Sequence, residues 1–349
     1  VCACATQEYT TRDAVDAAFF RGEIEGKWQN FLRHLAAEQR ADELELELDE
    51  SVISAAAEQF RYQHDLITAE ETEAWLANRG LTLDDFSDYF ARQYCTGAVH
   101  EGVCLHEIGY VCAGTELRKL FMAELILSGE LEDLTVKLMW RLAARCAEEQ
   151  PTPEAIAAEE RKFWHRMKIQ PAQIANCLEE LGRDSQWLNE MLMIESAYGN
   201  HCDRLLVTEA RQRELMSLRL QLTRFEVELI ELESRDAAKE ALLCARQDGM
   251  SLEEVATDER YPYRRAAFLL GELPDDVQQK YLCASCGDVL EPMPHGDGFE
   301  LCRIISKTEP QPNDPGVKSR LDQRLLERNF LELTAKYISR PLGVPVSAE

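Results

Sequence analysis

The feature that most constrains this chain is an internal repeat. Gly22-Glu-Ile-Glu25 followed by Leu35-Ala-Ala37 returns as Gly129-Glu-Leu-Glu132 followed by Leu142-Ala-Ala144, every pair offset by 107 positions. Ala57-Glu-Gln-Phe-Arg61 with Leu66 answers to Glu160-Arg-Lys-Phe-Trp164 with Ile169 at an offset of 103, so a four-residue difference in loop length separates the halves. Trp75 and Phe86 in the first half, and Leu178 and Trp187 in the second, then mark an apolar helix pair. A unit this long exceeds a solenoid repeat, and the pattern predicts a duplicated helical domain. Helix starts agree: Thr68 with Glu71 and Thr82 with Asp85 are capping boxes, and Thr152-Pro153-Glu154 puts a cap before a proline at the first helical position.

The pattern changes after residue 205. Leu218, Leu220, Leu222, Phe225, Val227 and Leu229 alternate with polar residues, the period of a half-buried strand. Ala237, Ala238, Ala241, Leu242 and Ala245 then recur at helical spacing until Asp248-Gly249, and Ser251 with Glu254 opens a second short helix. An apolar run from Ala266 to Leu270, a helix after Pro274, and a hairpin into Gly298–Ser306 complete the order strand, helix, short helix, strand, helix, strand pair. That order predicts a small α+β layer. Val317, Leu321, Leu325, Phe330, Leu333 and Tyr337 form the stripe of a terminal amphipathic helix. The expected organisation is a helical unit over 13–100, a Cys/His-containing connector over 101–119, a second helical unit over 120–204, the α+β domain over 205–310, and a helix over 311–340 returning to the helical lobe.

A formal charge of -26 excludes non-specific nucleic-acid and anionic-membrane binding, both of which need a basic surface. It favours solubility and a neutral or basic partner. No apolar run is long enough to insert in a membrane; the best, Leu120 to Ser128, contains Glu124. No signal peptide is visible, and the twelve scattered cysteines follow no disulfide framework, so a cytoplasmic setting with most thiols free is expected.

Gly287-Asp-Val-Leu-Glu-Pro292, Gly298-Phe-Glu-Leu301 and Glu309-Pro310, set in that element order, resemble the parvulin (PpiC-type, FKBP-like) prolyl isomerase domain. The segment from Leu46-Glu-Leu-Asp-Glu-Ser51 to Trp75-Leu76 resembles the helical lobe of SurA-like chaperones. Taken whole, 13–340 looks like the PpiC-related peptide maturation proteins of bacterial natural-product gene clusters, through Arg219–Glu228 and Glu233–Ala241. The resemblance implies a precursor peptide, and its modifying enzyme, as partners. It also implies two strand histidines, whose positions hold Glu228 and Glu300 here.

Rotation about an X-Pro bond is limited by amide resonance, so an enzyme has to desolvate and twist that bond, and two carboxylates substitute poorly for a histidine pair. The expected function is therefore a peptide-binding chaperone or adaptor in the maturation of a ribosomally made peptide, without isomerase activity. Tyr261, Tyr263, Met293, Phe268 and Phe299 are the candidate peptide-binding residues, with Phe268 and Phe299 read also as strand core. One alternative is an active peptidyl-prolyl isomerase using Glu228 or Cys302. Another is a metal-dependent peptide-modifying component, because Cys95, His100, Cys104, His106 and Cys112 offer thiolate and imidazole ligands suited to zinc, though in no finger-like spacing. Cys283-Ala-Ser-Cys286 with His295 and Cys302 is a further set, set against a reading of both CxxC thiols as inward-facing small side chains. No cofactor is otherwise expected: no P-loop, GxGxxG or nucleophile elbow is present, and His106-Glu-Ile-Gly-Tyr110 is not a zinc-protease motif.

Overall fold

The structure is a computed structural model that describes residues 2–4, 7–99, 108–148, 150–168 and 173–339. These fall into two units, residues 1–202 with 329–349, and residues 203–328. The boundary passes through two continuous helices.

In the first unit, α1 (Thr11–Phe20), α2 (Ile24–Glu43), α3 (Glu50–Gln63), α4 (Ala69–Ala77) and α5 (Leu83–Ala98) are followed by α6 (Thr115–Leu127), α7 (Glu130–Ala147), α8 (Pro153–Met167), α9 (Ile174–Leu181) and α10 (Ser185–Leu205). The second five repeat the first five in order and nearly in length. Left-handed residues recur with them. Gly22 (φ 73°) and Gly129 (φ 78°) precede the long second helix of each half, and Gly80 (φ 73°) and Gly182 (φ 65°) follow the short fourth helix. Asp65 (φ 55°) and Lys168 (φ 52°) follow the third. Glycine adopts that conformation without a Cβ clash, which explains why the Gly-Glu pair is the clearest trace of duplication in the sequence. The capping boxes at Thr68, Thr82 and, unforeseen, Thr10 are formed, and Thr152 accepts from Ala155 N ahead of α8.

The two halves exchange their first helices. Phe60, Leu76, Phe86 and Phe90 of the first half close their core over Ala123 and Leu127 of α6. Conversely Phe20 of α1 stacks on Phe163 of α8 at 4.6 Å and meets Trp187 of α10 edge-on at 6.4 Å. Each exchanged helix also buries one carboxylate against an arginine of the other set. Asp16 lies 2.6 Å from Arg183, and Glu124 lies 3.4 Å from Arg92, with His34 and Gln93 completing its hydrogen bonds. Burial pushes the Asp16 carboxyl up, with Arg183 opposing.

A three-stranded sheet in this unit was not foreseen from sequence. β1 (Cys2–Cys4) pairs antiparallel with β2 (Gln7–Tyr9) on one side and with β7 (Ile338–Ser339) on the other, and Cys4 is disulfide-bonded to Cys146 of α7. Strands of two and three residues carry too little periodicity to be read. Among the described residues, Cys95, Cys112, Cys177, Cys244, Cys283, Cys286 and Cys302 are free thiols.

In the second unit, α11 (Thr208–Leu218) leads into β3 (Arg224–Leu232), α12 (Arg235–Gln247), α13 (Leu252–Glu259), β4 (Tyr263–Leu269), α14 (Asp275–Cys283), β5 (Met293–His295) and β6 (Gly298–Thr308). The sheet is antiparallel with the order β4-β3-β6-β5, the α+β layer expected. The strand starts later than its alternation suggested. Leu218 and Leu222 are one helical turn apart as well as in step with the strand, and they pack with Val317 and Leu321 of α15 (Pro315–Tyr337). Arg211 pairs with Asp322, and Arg324 and Arg328 both reach Glu214, fixing α11 on α15. The last turns of α15 belong to the first unit, where buried Phe330 stacks on Trp140 at 5.1 Å and on Tyr198 at 5.4 Å.

Two substitutions test this packing. Arg183→Met leaves Asp16 buried with only Arg12, at 3.5 Å, for a cation; it is expected to destabilise the first unit by about 3 kcal/mol in urea unfolding. A Cβ at Gly298 would sit 2.4 Å from the Leu232 carbonyl oxygen, so Gly298→Ala is expected to part the end of the β3–β6 ladder and cost about 1–3 kcal/mol in the second unit. A melting curve identical to the parent's for either variant contradicts the corresponding contact.

Candidate peptide-binding site

In a strand successive side chains point to opposite faces. The β3 sequence therefore divides into two sets: Phe225, Val227, Leu229 and Glu231 face α14, and Glu228, Ile230 and Leu232 face α12 and α13. Leu229 stands opposite Cys302, and Glu231 opposite Glu300, on β6. This alternation decides which of the sequence candidates meet.

Glu228 and Glu300 do not. Glu228, on the α12 face, is buried and accepts from Tyr263 Oη at 2.9 Å and from Arg265 Nη2 at 3.0 Å. Glu300, on the α14 face, accepts from Arg264 Nη2 at 2.7 Å, and Arg264 Nε lies 3.4 Å from Glu231. The neighbour of Glu300 is thus Glu231, three residues beyond the position that sequence spacing picked. Spacing measured back from a helix does not fix a strand register, because a one-residue slip changes the face.

The five candidate peptide-binding residues divide in the same way. Tyr261, Tyr263 and Phe299 pack on the α12–α13 core, whereas Phe268 and Met293 pack on the α14 core with Phe225, Tyr281 and Cys302. They do not line one groove. Phe268 meets Tyr281 edge-on at 5.4 Å and is strand core. Cys302 is buried and takes a hydrogen bond from Tyr281 Oη at 3.2 Å; burial pushes its thiol up to about 12. A thiol so held is neither a nucleophile nor a ready ligand.

Of the connector cluster, His100, Cys104 and His106 lie outside the described residues. Cys95 is buried beside Ala41 and Val99, with its thiol pushed up by burial, and exposed Cys112 donates to Glu180. Cys283 and Cys286 are both exposed, which corrects the expectation that they face inward: α14 ends at Cys283, and the loop beyond it is held by Ser285 N donating to Asp288 rather than by burial. Glu231, His295 and Glu300 bring ligand atoms within 4.8 Å of one another, a grouping that spacing did not reveal. Arg264 already supplies the positive charge between the two carboxylates there.

The first unit carries an apolar surface that was not among the sequence candidates. Between the end of α2 and the start of α4, Leu44 (54% exposed), Val52 (51%), Tyr62 (63%) and Ile67 (65%) stand open to solvent, together with Leu46 and Leu48. Only Phe60 of α3 is buried, and Ala55, Gln59 and Tyr62 line a shallow hollow on the helix. The alternation Leu44-Glu-Leu-Glu-Leu48 was the available signal. Its side chains are in a connecting segment, where alternation buries nothing.

No family model and no curated protein matches this chain. Solved structures do. Peptidylprolyl isomerase PrsA from Bacillus cereus matches over 65% of this chain and 90% of its own, at 14% identity and a TM-score of 0.37. PrsA from Bacillus anthracis matches over 58% and 94%, at 13% identity and a TM-score of 0.30. A structure from Campylobacter jejuni, reported for two SurA-like chaperones, PEB4 and Cj1289, matches over 65% and 88%, at 7% identity and a TM-score of 0.20. At identities and TM-scores this small the likeness assigns no function, and the chain's own residues have to carry one.

The thiols give a direct check. In the intact chain at about pH 8, a thiol reagent such as DTNB should modify Cys283 and Cys286 quickly and Cys302 only after unfolding. Because the folded thiol is raised from 9.0 to about 12, its stabilising contribution is whole below pH 9 and declines as pH climbs from there towards 12. Urea titrations should show that part of the decline in the parent and not in Cys302→Ala. Rapid native labelling of Cys302 would sink the assignment.

Proposed function

We propose that this protein is a peptide-binding chaperone or adaptor, and that it acts on a ribosomally made precursor peptide during its maturation, alongside a modifying enzyme. The observation that carries the reading is the exposed apolar series Leu44, Leu46, Leu48, Val52, Tyr62 and Ile67. Scattered single apolar side chains are ordinary on a surface. Six large ones within 24 residues, flanking a helix that buries one phenylalanine, suit an extended apolar segment of another chain.

The second unit is read as a degenerate parvulin-like layer that does not isomerise prolyl bonds. Glu300, at the position matched to the last-strand histidine, is ion-paired with Arg264 beside a second carboxylate, Glu231. Twisting an X-Pro amide breaks its resonance and localises the lone pair on nitrogen, and carboxylates already paired with an arginine have no proton to donate there. Met293, Tyr281 and Cys302 are buried together in the α14 core. Peptide capture needs no cofactor. The many free thiols, three of them exposed, support a cytoplasmic setting, while the Cys4–Cys146 disulfide weighs the other way.

Titration with an extended apolar, proline-containing peptide tests both parts. Binding should weaken about tenfold or more in the Val52→Asp, Tyr62→Ser double variant, since each side chain removed loses roughly 1 kcal/mol or more of apolar burial. A protease-free X-Pro isomerisation assay should show no acceleration. Acceleration by the parent overturns the non-catalytic reading, and binding unchanged in the double variant overturns the surface.

A further inference from the structure

We infer that the first unit holds a pocket for one cationic side chain, a lysine or arginine of the bound peptide. The inference deepens the proposed peptide-binding function and rests on it for the identity of the guest. The cavity measures about 220 Å³ and lies among β2, the start of α1, α7 and the first turns of α10. That is below the roughly 300–1,000 Å³ of pockets for drug-sized molecules and suits a single long side chain.

Its walls sort by chemistry. Buried Leu138 and Met191 are apolar, and Tyr9 and Trp187 are aromatic. Asp13, Asp184 and Glu190 are acidic. A lysine or arginine stem packs well on aliphatic surface while its charge seeks aromatic faces and carboxylates.

The carboxylates are held in place. Tyr9 Oη donates to Glu190 Oε1 at 3.1 Å, and Trp187 N–H donates to Asp184 Oδ1 at 2.8 Å, so each acid is oriented through one of its oxygens. The lining cation, Arg183, is shared between lining Asp13 and buried Asp16, which leaves Asp184 and Glu190 for a guest. Its Nη2 lies 2.7 Å from Asp13 Oδ1, and its Nε lies 2.6 Å from Asp16 Oδ2. Arg183 also stands over the Trp187 ring at 5.6 Å, so that part of the ring is taken by the chain's own guanidinium. Three lining carboxylates thus have one lining arginine, which is shared in turn with buried Asp16. The local excess is negative, as is the whole chain at -26, and a neutral or acidic guest would gain nothing from it.

The test uses the full chain and small probes. In calorimetric titrations N-acetyl-lysinamide or N-acetyl-argininamide should bind at least about tenfold more tightly than N-acetyl-norleucinamide, and less tightly as salt rises. The Glu190→Gln, Asp184→Asn double variant keeps the turn chemistry at both positions and should lose that preference with an unchanged melting curve. No binding of either cationic amide, equal binding of the norleucine amide, or a preference intact in the double variant each overturns the pocket. An extended apolar, proline-containing peptide without basic residues should bind parent and variant alike. Its failure to bind the parent would count against the peptide-binding function and leave the amide result standing.

Discussion

The first unit depends on two buried carboxylates, each on a helix given by one half of the duplication to the other. An ionised carboxylate removed from water costs several kcal/mol unless a cation and hydrogen bonds meet it. Asp16 is met by Arg183, and Glu124 by Arg92, His34 and Gln93. Apolar packing of Phe20 and Leu127 is tolerant of small rotations, whereas these pairs accept one orientation of the exchanged helix. A half that kept its own first helix would bury a carboxylate away from the arginine that compensates it. The exchange therefore makes one ten-helix body out of two five-helix repeats.

In the second unit the governing constraint is strand register. Nine residues of β3 supply both cores, and alternation alone assigns each to α12 or to α14. Where the apolar supply on the α14 face ends, the same alternation places Glu231 against Glu300, with Arg264 from β4 across them. The sheet thereby closes in an ion-paired cluster around Glu300, one of the two positions matched to the family's strand histidines. Arg264 supplies the positive charge between the two acids, and His295 reaches within 4.8 Å of both.

Much of this was legible in advance, and for local reasons. Capping boxes at Thr68, Thr82 and Ser251, the Gly22 and Gly129 turns, and the end of α12 before Gly249 depend on residues within four positions of each other. The order of elements from β3 to β6 followed from periodicity, whereas α11 was not foreseen. What escaped was non-local: the exchange of first helices, the β1–β2–β7 sheet joining the two ends of the chain, the Cys4–Cys146 bond, and the opposite faces of Glu228 and Glu300. Leu218 and Leu222 misled because four-residue spacing satisfies a helix and a strand together. The candidate peptide-binding residues were chosen as aromatic or soft and near one another in sequence, and tertiary packing put three on one core and two on the other.

The charge balance connects these observations. With 38 basic and 64 acidic residues, the chain cannot give every carboxylate a cation of its own. The buried acids take priority, since an unpaired charge is costliest there; Arg183, Arg92 and Arg141 are each committed to one. The surplus acids are left at rims and openings, where water solvates them at little cost. Those held by a neighbour's hydrogen bond, as Glu190 is by Tyr9, present a negative group of fixed orientation. A partner bringing cations then meets carboxylates whose orientation was set during folding, and less ordering entropy is lost on binding. The proposed selectivity for a basic, apolar peptide then follows from how the fold distributes a limited number of arginines.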